Sequence, residues 1–142
     1  MASPVIRKAK ERIQKNKIVI LDAPPGTACP VIETVKGSDF CILVTEPTPF
    51  GLNDLELAVG MLKKLGIQMG VVINKADIGD RGVWDYCKSK NIPILMEIPM
   101  DRKIAESYSK GIPIVAENPS YIPQFLNLIE KVENLHESSR RK

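Results

Sequence analysis

Four short apolar runs alternate with segments of helical periodicity along this 142-residue chain. The runs are KIVIL (17–21), FCILVT (40–45), MGVVIN (69–74) and IPILMEI (92–98). Strands joined by helical crossovers form parallel sheets, and such strands are continuously apolar because helices cover both sheet faces. The pattern therefore predicts an α/β fold with three α/β/α layers and a mainly parallel sheet, in a single domain over residues 1–142.

The segments between the apolar runs predict the helical layers. The expected helices cover 5–15, 30–36, 51–65, 81–90 and 101–110, followed by a last helix capped by Ser120. Its inward face is expected to consist of Ile122, Phe125, Leu126, Ile129 and Val132.

Composition restricts the class of function. The net charge is +3, but much of the basic charge lies in residues 7–17 and 140–142, and aromatics make up 5% of the chain. This favours solvated helix faces over a nucleic-acid interface. No apolar run is long enough to span a bilayer and residues 1–17 lack the apolar centre of a signal peptide, so we expect a cytoplasmic protein. Three separated cysteines without a CxxC pair give no reason to expect an iron–sulfur cluster in the chain.

Polar and glycine-rich residues follow each predicted strand, where ligands bind to parallel sheets. The first such stretch is Asp22-Ala-Pro-Pro-Gly26. The Asp22 carboxylate suits Mg²⁺ held through water, and Gly26 allows a backbone N–H to approach a terminal phosphate. The alternative is that Asp22 caps a turn before two prolines.

The third strand is followed by Asn74-Lys75-Ala76-Asp77. This has the form of the base-reading motif of GTPases, in which the Asp carboxylate accepts two hydrogen bonds from guanine. The alternative is a plain turn at a strand end.

Together, VILDAPPGTACPVIETV, LVTEPTPFGLNDLELAVGMLKKLGI, GVVINKADIGD and EIPMDRKIAESYSKGIPIV resemble the MinD/ParA/Mrp class of P-loop ATPases. The match is to the MinD-like branch with an inserted ferredoxin domain. The resemblance implies that Asp22 organises Mg²⁺ and the attacking water and that Gly26 senses the terminal phosphate.

For the base, the resemblance implies that Asn74 contacts adenine and that the Ile98-Pro99-Met100-Asp101 loop closes over it. It thus favours ATP or ADP with Mg²⁺. Binding of GTP through Asn74, Lys75 and Asp77 remains the alternative.

The chain departs from this class at the phosphates. No G-x-x-x-x-G-K-[ST] loop (Walker A) occurs in the 142 residues, and the cysteine-rich insert is absent too. We therefore expect the C-terminal half of a longer ATPase, inactive alone, that needs a Walker A segment from elsewhere for hydrolysis. The alternative function is a non-catalytic protein-interaction module.

In this class the Walker A strand lies in mid-sheet, between the strands expected at 17–21 and 40–45. Its absence predicts one of three outcomes: direct pairing of 17–21 with 40–45, self-association, or an N-terminal partner that supplies the strand.

Overall fold

The computed structural model describes residues 2–14 and 16–141. The helices are α1 (Ala2–Lys10), α2 (Cys29–Val35), α3 (Pro49–Leu65), α4 (Gly82–Ser89), α5 (Arg102–Ser109), α6 (Ile114–Glu117) and α7 (Tyr121–Arg140). The strands are β1 (Phe40–Thr45), β2 (Gln68–Asn74) and β3 (Ile94–Ile98).

The strands form a parallel sheet in the order β1-β2-β3. Phe40 pairs with Gln68 and Thr45 with Ile73, and Asn74 at the end of β2 pairs with Ile98 at the end of β3. All three strands therefore run towards the same edge, and the predicted α/β fold with a parallel sheet is confirmed. The short helix α6 was not predicted.

The strand predicted at 17–21 is wrong. Residues 16–24, all described, have no strand structure, and Ile18 and Ile20 are 73% and 85% exposed. An isolated strand leaves its backbone groups without partners, and within the described residues β1 pairs with β2 on one side and with no strand on the other. Direct pairing of 17–21 with 40–45 is therefore not the outcome.

Helices α3 and α4 cover one face of the sheet. Their core cluster contains Leu55, Val59, Val71, Ile73, Val83, Cys87 and Ile92. Helix α7 packs on the other face through Tyr121, against Val72 and Leu95. The expected burial of both strand faces holds for β2 but is wrong for β1, where Val44 is 68% exposed.

The inward face predicted for α7 is partly wrong. Phe125 and Val132 pack against the core as expected, together with Leu128 and Leu135. Three predicted core residues are exposed instead: Ile122, Leu126 and Ile129. The inward residues begin at Tyr121 and recur at alternating intervals of four and three residues. The three exposed residues each lie one position further along the chain than an inward residue, so they fall on the adjacent face of the helix.

Ser120 is the N-cap residue of α7, as predicted, but its side chain makes no cap hydrogen bond. Its hydroxyl donates to Asn118 Oδ1 at 2.7 Å instead. No helix within residues 2–14 and 16–141 combines the length and apolar character needed to cross a membrane.

Candidate functional site

The loops that follow β1, β2 and β3 meet at the carboxyl edge of the sheet. They contain Thr45-Glu46-Pro47, Asn74-Lys75-Ala76-Asp77 and Ile98-Pro99-Met100-Asp101. The parallel register produces this meeting, because every strand ends at the same edge. The structure thus brings six of the predicted site residues into adjacent loops: Asn74, Lys75, Asp77, Pro99, Met100 and Asp101.

Lys75 connects the loop after β2 to the loop after β1. Its backbone has φ +51°, in the left-handed region, so the chain turns sharply as it leaves β2. The Lys75 Nζ lies 2.9 Å from Glu46 Oε1 and 3.1 Å from Oε2. Glu46 is therefore a site residue that sequence reasoning missed.

Asp77 connects the same loop to the loop after β3. The Ala76 N–H donates to the Ile98 carbonyl at 2.9 Å. The Met100 N–H donates to Asp77 Oδ1 at 2.5 Å. These two bonds continue the link between β2 and β3 beyond the last strand pair.

Asp101 acts as the N-cap of α5. Its side chain accepts a hydrogen bond from the Lys103 N–H at 2.8 Å, which satisfies a free donor of the helix's first turn. A cavity of about 130 Å³ adjoins it, lined by Asp101, Lys103, Ile104, Ile114, Glu117 and Asn118.

The groups left available at this edge are Asn74, Pro99 and Met100. In the part of the chain that the structure describes, the half-buried Asn74 side chain has no hydrogen-bond partner, whereas Pro99 and Met100 are exposed. A carboxamide offers two donors and an acceptor, and the exposed side chains offer apolar surface. Such a set suits a planar heterocycle with polar edges.

Gly79 fits closely against Pro47, a contact that sequence reasoning missed. Its φ is +82°, and a Cβ at this position would collide with the Pro47 carbonyl oxygen. The Asp80 N–H donates to the same oxygen at 3.3 Å. The signal in the sequence was the glycine two residues after the Asn-Lys-Ala-Asp motif.

Asp22 and Gly26 lie in an irregular loop ahead of α2, and both are exposed. Gly26 has φ +94°, which glycine adopts without strain. Between them, Ala23 packs against the cluster of Val31, Val35, Leu62 and Ile67, which fixes the loop near α2 and α3. Among residues 2–14 and 16–141, no hydrogen bond or ion pair joins Asp22 to Asn74 or Asp77.

The residues around Asp22 are compatible with Mg²⁺ held mostly by water. Within the described ranges there is no group of three or more His, Cys, Asp or Glu side chains that could enclose a metal ion. Mg²⁺ commonly keeps several waters and binds through one or two carboxylates plus substrate phosphates. A single exposed carboxylate fits that role and does not form a metal site by itself.

The three cysteines lie in different environments. Cys87 is buried and Cys41 half-buried, and burial raises the pKa of both thiols because it disfavours the thiolate. Cys29 at the start of α2 is exposed.

Curated proteins similar to this chain include an uncharacterised protein of Methanocaldococcus jannaschii, 33% identical over 131 residues. That match covers 90% of this chain and 45% of the relative. An iron-sulfur cluster carrier protein of Pyrococcus horikoshii is 33% identical over 132 residues, covering 82% of this chain and 45% of the relative. The chain thus spans less than half the length of these relatives.

Solved structures with the same fold are also similar to this chain. The cell-division ATPase MinD of Pyrococcus furiosus matches with a TM-score of 0.74 and 26% identity, over 95% of this chain and 59% of that one. The septum site-determining protein MinD of Pyrococcus horikoshii, solved in complex with Mg-ADP, matches with a TM-score of 0.71 and 27% identity. That match covers 94% of this chain and 56% of the MinD chain.

A protein-family model matches most of the chain. Residues 5–133 match the ParA family in the form described as NUBPL iron-transfer P-loop NTPase. The parallel sheet and the resemblance seen in four sequence segments agree with this match. The chain belongs to the ParA family of P-loop NTPases.

Proposed function

We propose that this chain forms the base-binding and Mg²⁺-positioning half of an ATP site. The observation that carries the proposal is the carboxyl edge of the sheet. There the Asn74 carboxamide has no hydrogen-bond partner among the described residues, and Asn74 pairs with Ile98, where the loop ending at Asp101 begins. Nucleotides bind to open α/β sheets at this edge. The MinD of Pyrococcus horikoshii, which has this fold, was solved with Mg-ADP.

In the proposed site, Asn74 hydrogen-bonds the base edge, while Pro99 and Met100 provide apolar surface against the ring. Lys75, Asp77 and Asp101 shape the loops around it through their contacts with Glu46, the Met100 amide and the Lys103 amide. An Asn side chain supplies a donor and an acceptor at once, which matches the amino group and ring nitrogen of adenine.

On the phosphate side, Asp22 holds water molecules of the ion and Gly26 presents its backbone N–H. The exposed Asp22 carboxylate and the left-handed Gly26 backbone support these roles. Mg²⁺ supplies charge neutralisation at the phosphates when it is bound.

Hydrolysis in the proposed site needs a phosphate-binding loop that the 142 residues do not contain. Phosphoryl transfer depends on backbone amides and lysines that stabilise the charge on the phosphates. We therefore propose that the chain alone does not hydrolyse ATP and that another polypeptide segment supplies the loop. The free side of β1 is where such a segment could add a strand.

We do not assign cluster binding to this chain, although relatives carry the name iron-sulfur cluster carrier protein. Cys29, Cys41 and Cys87 are exposed, half-buried and buried, and they lie in three different elements. Cluster ligation needs several accessible thiolates close together.

A second candidate function is a non-catalytic interaction module. It is favoured by two exposed apolar residues: Val44 on β1 is 68% exposed, and Phe50 in the first turn of α3 is 78% exposed. Such residues together with an unpaired strand edge are typical of a protein-binding surface.

Calorimetric titration with Mg-ATP, Mg-GTP and Mg-ADP tests the proposed function. We expect weak binding that prefers adenine nucleotides and is lost in Asn74→Ala. Asn127→Ala is the matched control, because Asn127 is exposed on α7. Absence of binding by any nucleotide would favour the interaction module, and hydrolysis that survives Asp22→Ala would contradict the assigned roles.

A further inference from the structure

The Asp77 carboxylate is already engaged by the protein at the candidate site. Its Oδ1 accepts from the Met100 N–H at 2.5 Å, and the neighbouring Ala76 N–H donates to the Ile98 carbonyl at 2.9 Å. Both bonds lie just beyond the strand pair of Asn74 with Ile98. The two hydrogen bonds connect the loop after β3 to the loop that begins at Asn74.

We propose that Asp77 is a positioning residue: it holds the Met100 loop beside Asn74 and does not read a guanine base. This inference rests on the proposed function, because it concerns the same site. It assigns the Asn-Lys-Ala-Asp motif to bracing the site, although the motif has the form of a guanine-reading one.

The carboxylate of Asp77 is placed for the protein backbone, not for a guanine base. A carboxylate that recognises guanine accepts from the ring N–H with one oxygen and from the exocyclic amine with the other. Oδ1 of Asp77 already accepts from the Met100 amide, so a two-oxygen contact with guanine would have to share Oδ1 with that amide or break its bond. Losing that bond also leaves a backbone donor without its partner.

The rest of the loop is held in the same way. Lys75 pairs with both oxygens of Glu46, so its side chain is directed to the end of β1. Further along, the Asp80 N–H donates to the Pro47 carbonyl. The loop after β2 therefore contacts both neighbouring loops and acts as a brace between them.

The first test measures hydrogen exchange of the Met100 amide by NMR in the nucleotide-free chain. Asp77→Ala removes the acceptor, and we expect the Met100 amide to exchange about fivefold faster or more. Asp77→Asn keeps an Oδ1 acceptor and should exchange at nearly the wild-type rate. Asp39→Ala is the control, because Asp39 is exposed at the opposite end of β1. Unchanged Met100 exchange in Asp77→Ala overturns the proposal.

The second test compares the affinities for Mg-ATP and Mg-GTP by calorimetry. We expect Asp77→Asn to leave the ATP-to-GTP preference unchanged and Asp77→Ala to weaken ATP binding about fivefold, because the loop is no longer held. If Asp77→Asn and Asp77→Ala both lower the affinity for Mg-GTP and leave the affinity for Mg-ATP unchanged, Asp77 reads guanine and the proposal is overturned. If the chain binds no nucleotide, the proposed function fails, while Met100 exchange still decides whether Asp77 holds the loop.

Discussion

At the residue scale, Gly79 occupies a position that a side chain cannot share. Its backbone is left-handed at φ +82°, and a Cβ would meet the Pro47 carbonyl oxygen. Pro47 is itself fully buried, so it cannot move aside easily. This one residue lets the loop after β2 lie against the loop after β1.

We predict that Gly79→Ala lowers the free energy of unfolding by about 2–4 kcal/mol, the sum of left-handed strain and a backbone displacement. Gly60→Ala is the control, because Gly60 lies in the interior of α3 with open space around it. It should raise stability by about 0.5–1 kcal/mol. Urea unfolding followed by circular dichroism measures both, and equal effects of the two substitutions would contradict the packing described for Gly79.

The cysteines give a second residue-scale prediction. Burial excludes reagent from Cys87 and Cys41 and raises the pKa of both thiols, so they should alkylate slowly in the folded protein. The exposed Cys29 should be labelled first by iodoacetamide at neutral pH, as read by mass spectrometry. In urea, the alkylation rates of the three cysteines should become similar. Early labelling of Cys87 without denaturant would contradict its burial.

At the element scale, α1 is attached to α2 by polar contacts. The Arg7 Nε donates to Glu33 Oε1 at 2.7 Å, and Lys10 Nζ donates to the carbonyl oxygens of Glu33, Thr34 and Lys36. The last carbonyls of a helix lack partners within the helix, so a lysine at this end satisfies them and opposes the helix dipole. These contacts hold the helix that follows the Asp22 loop.

Acid should loosen this attachment. Hydrogen bonding to Arg7 lowers the pKa of Glu33, so the folded state is favoured while Glu33 is ionised. The contribution is present above the ordinary carboxyl pKa and is lost as the pH falls through the lower pKa of the folded state. We predict that the stability difference between wild type and Glu33→Gln shrinks from pH 7 towards pH 3, with Glu133→Gln as the exposed control. A constant difference across this range would contradict the role of the pair.

Sequence patterns predicted the elements better than the contacts between them. The bounds of β1 were predicted in full, because an apolar run between polar turns has few other interpretations. The pair of Lys75 with Glu46 was missed because it depends on the register of β1 and β2, which pairs Thr45 with Ile73 and so brings the two loops that follow close together. The strand at 17–21 failed because strand formation needs a neighbouring strand, which local pattern does not reveal.

At the scale of the whole molecule, the sheet has a free side at β1. Within residues 2–14 and 16–141, no strand pairs with that side, and Ile42 and Val44 are 42% and 68% exposed on one face of the strand. Unpaired backbone groups beside apolar side chains favour the addition of another strand. Self-association and a separate partner segment both remain proposals for what pairs there.

We predict concentration-dependent self-association of the chain when no partner is present, measured by size-exclusion chromatography with light scattering. Val44→Lys should reduce it, because a charge on this face opposes burial. Leu57→Lys is the control, since Leu57 is also exposed but lies on α3. A monomer at every concentration would contradict self-association and leave a separate partner segment as the proposal.

NMR titration of the ¹⁵N-labelled chain with Mg-ATP tests whether the carboxyl edge of the sheet binds a nucleotide. We expect amide shifts concentrated at residues 22–27, 74–77 and 98–101, and no shifts at Asp39 or at the residues flanking Pro93, which lie at the opposite edge of the sheet. Shifts confined to that opposite edge, or no shifts at saturating Mg-ATP, would contradict such binding.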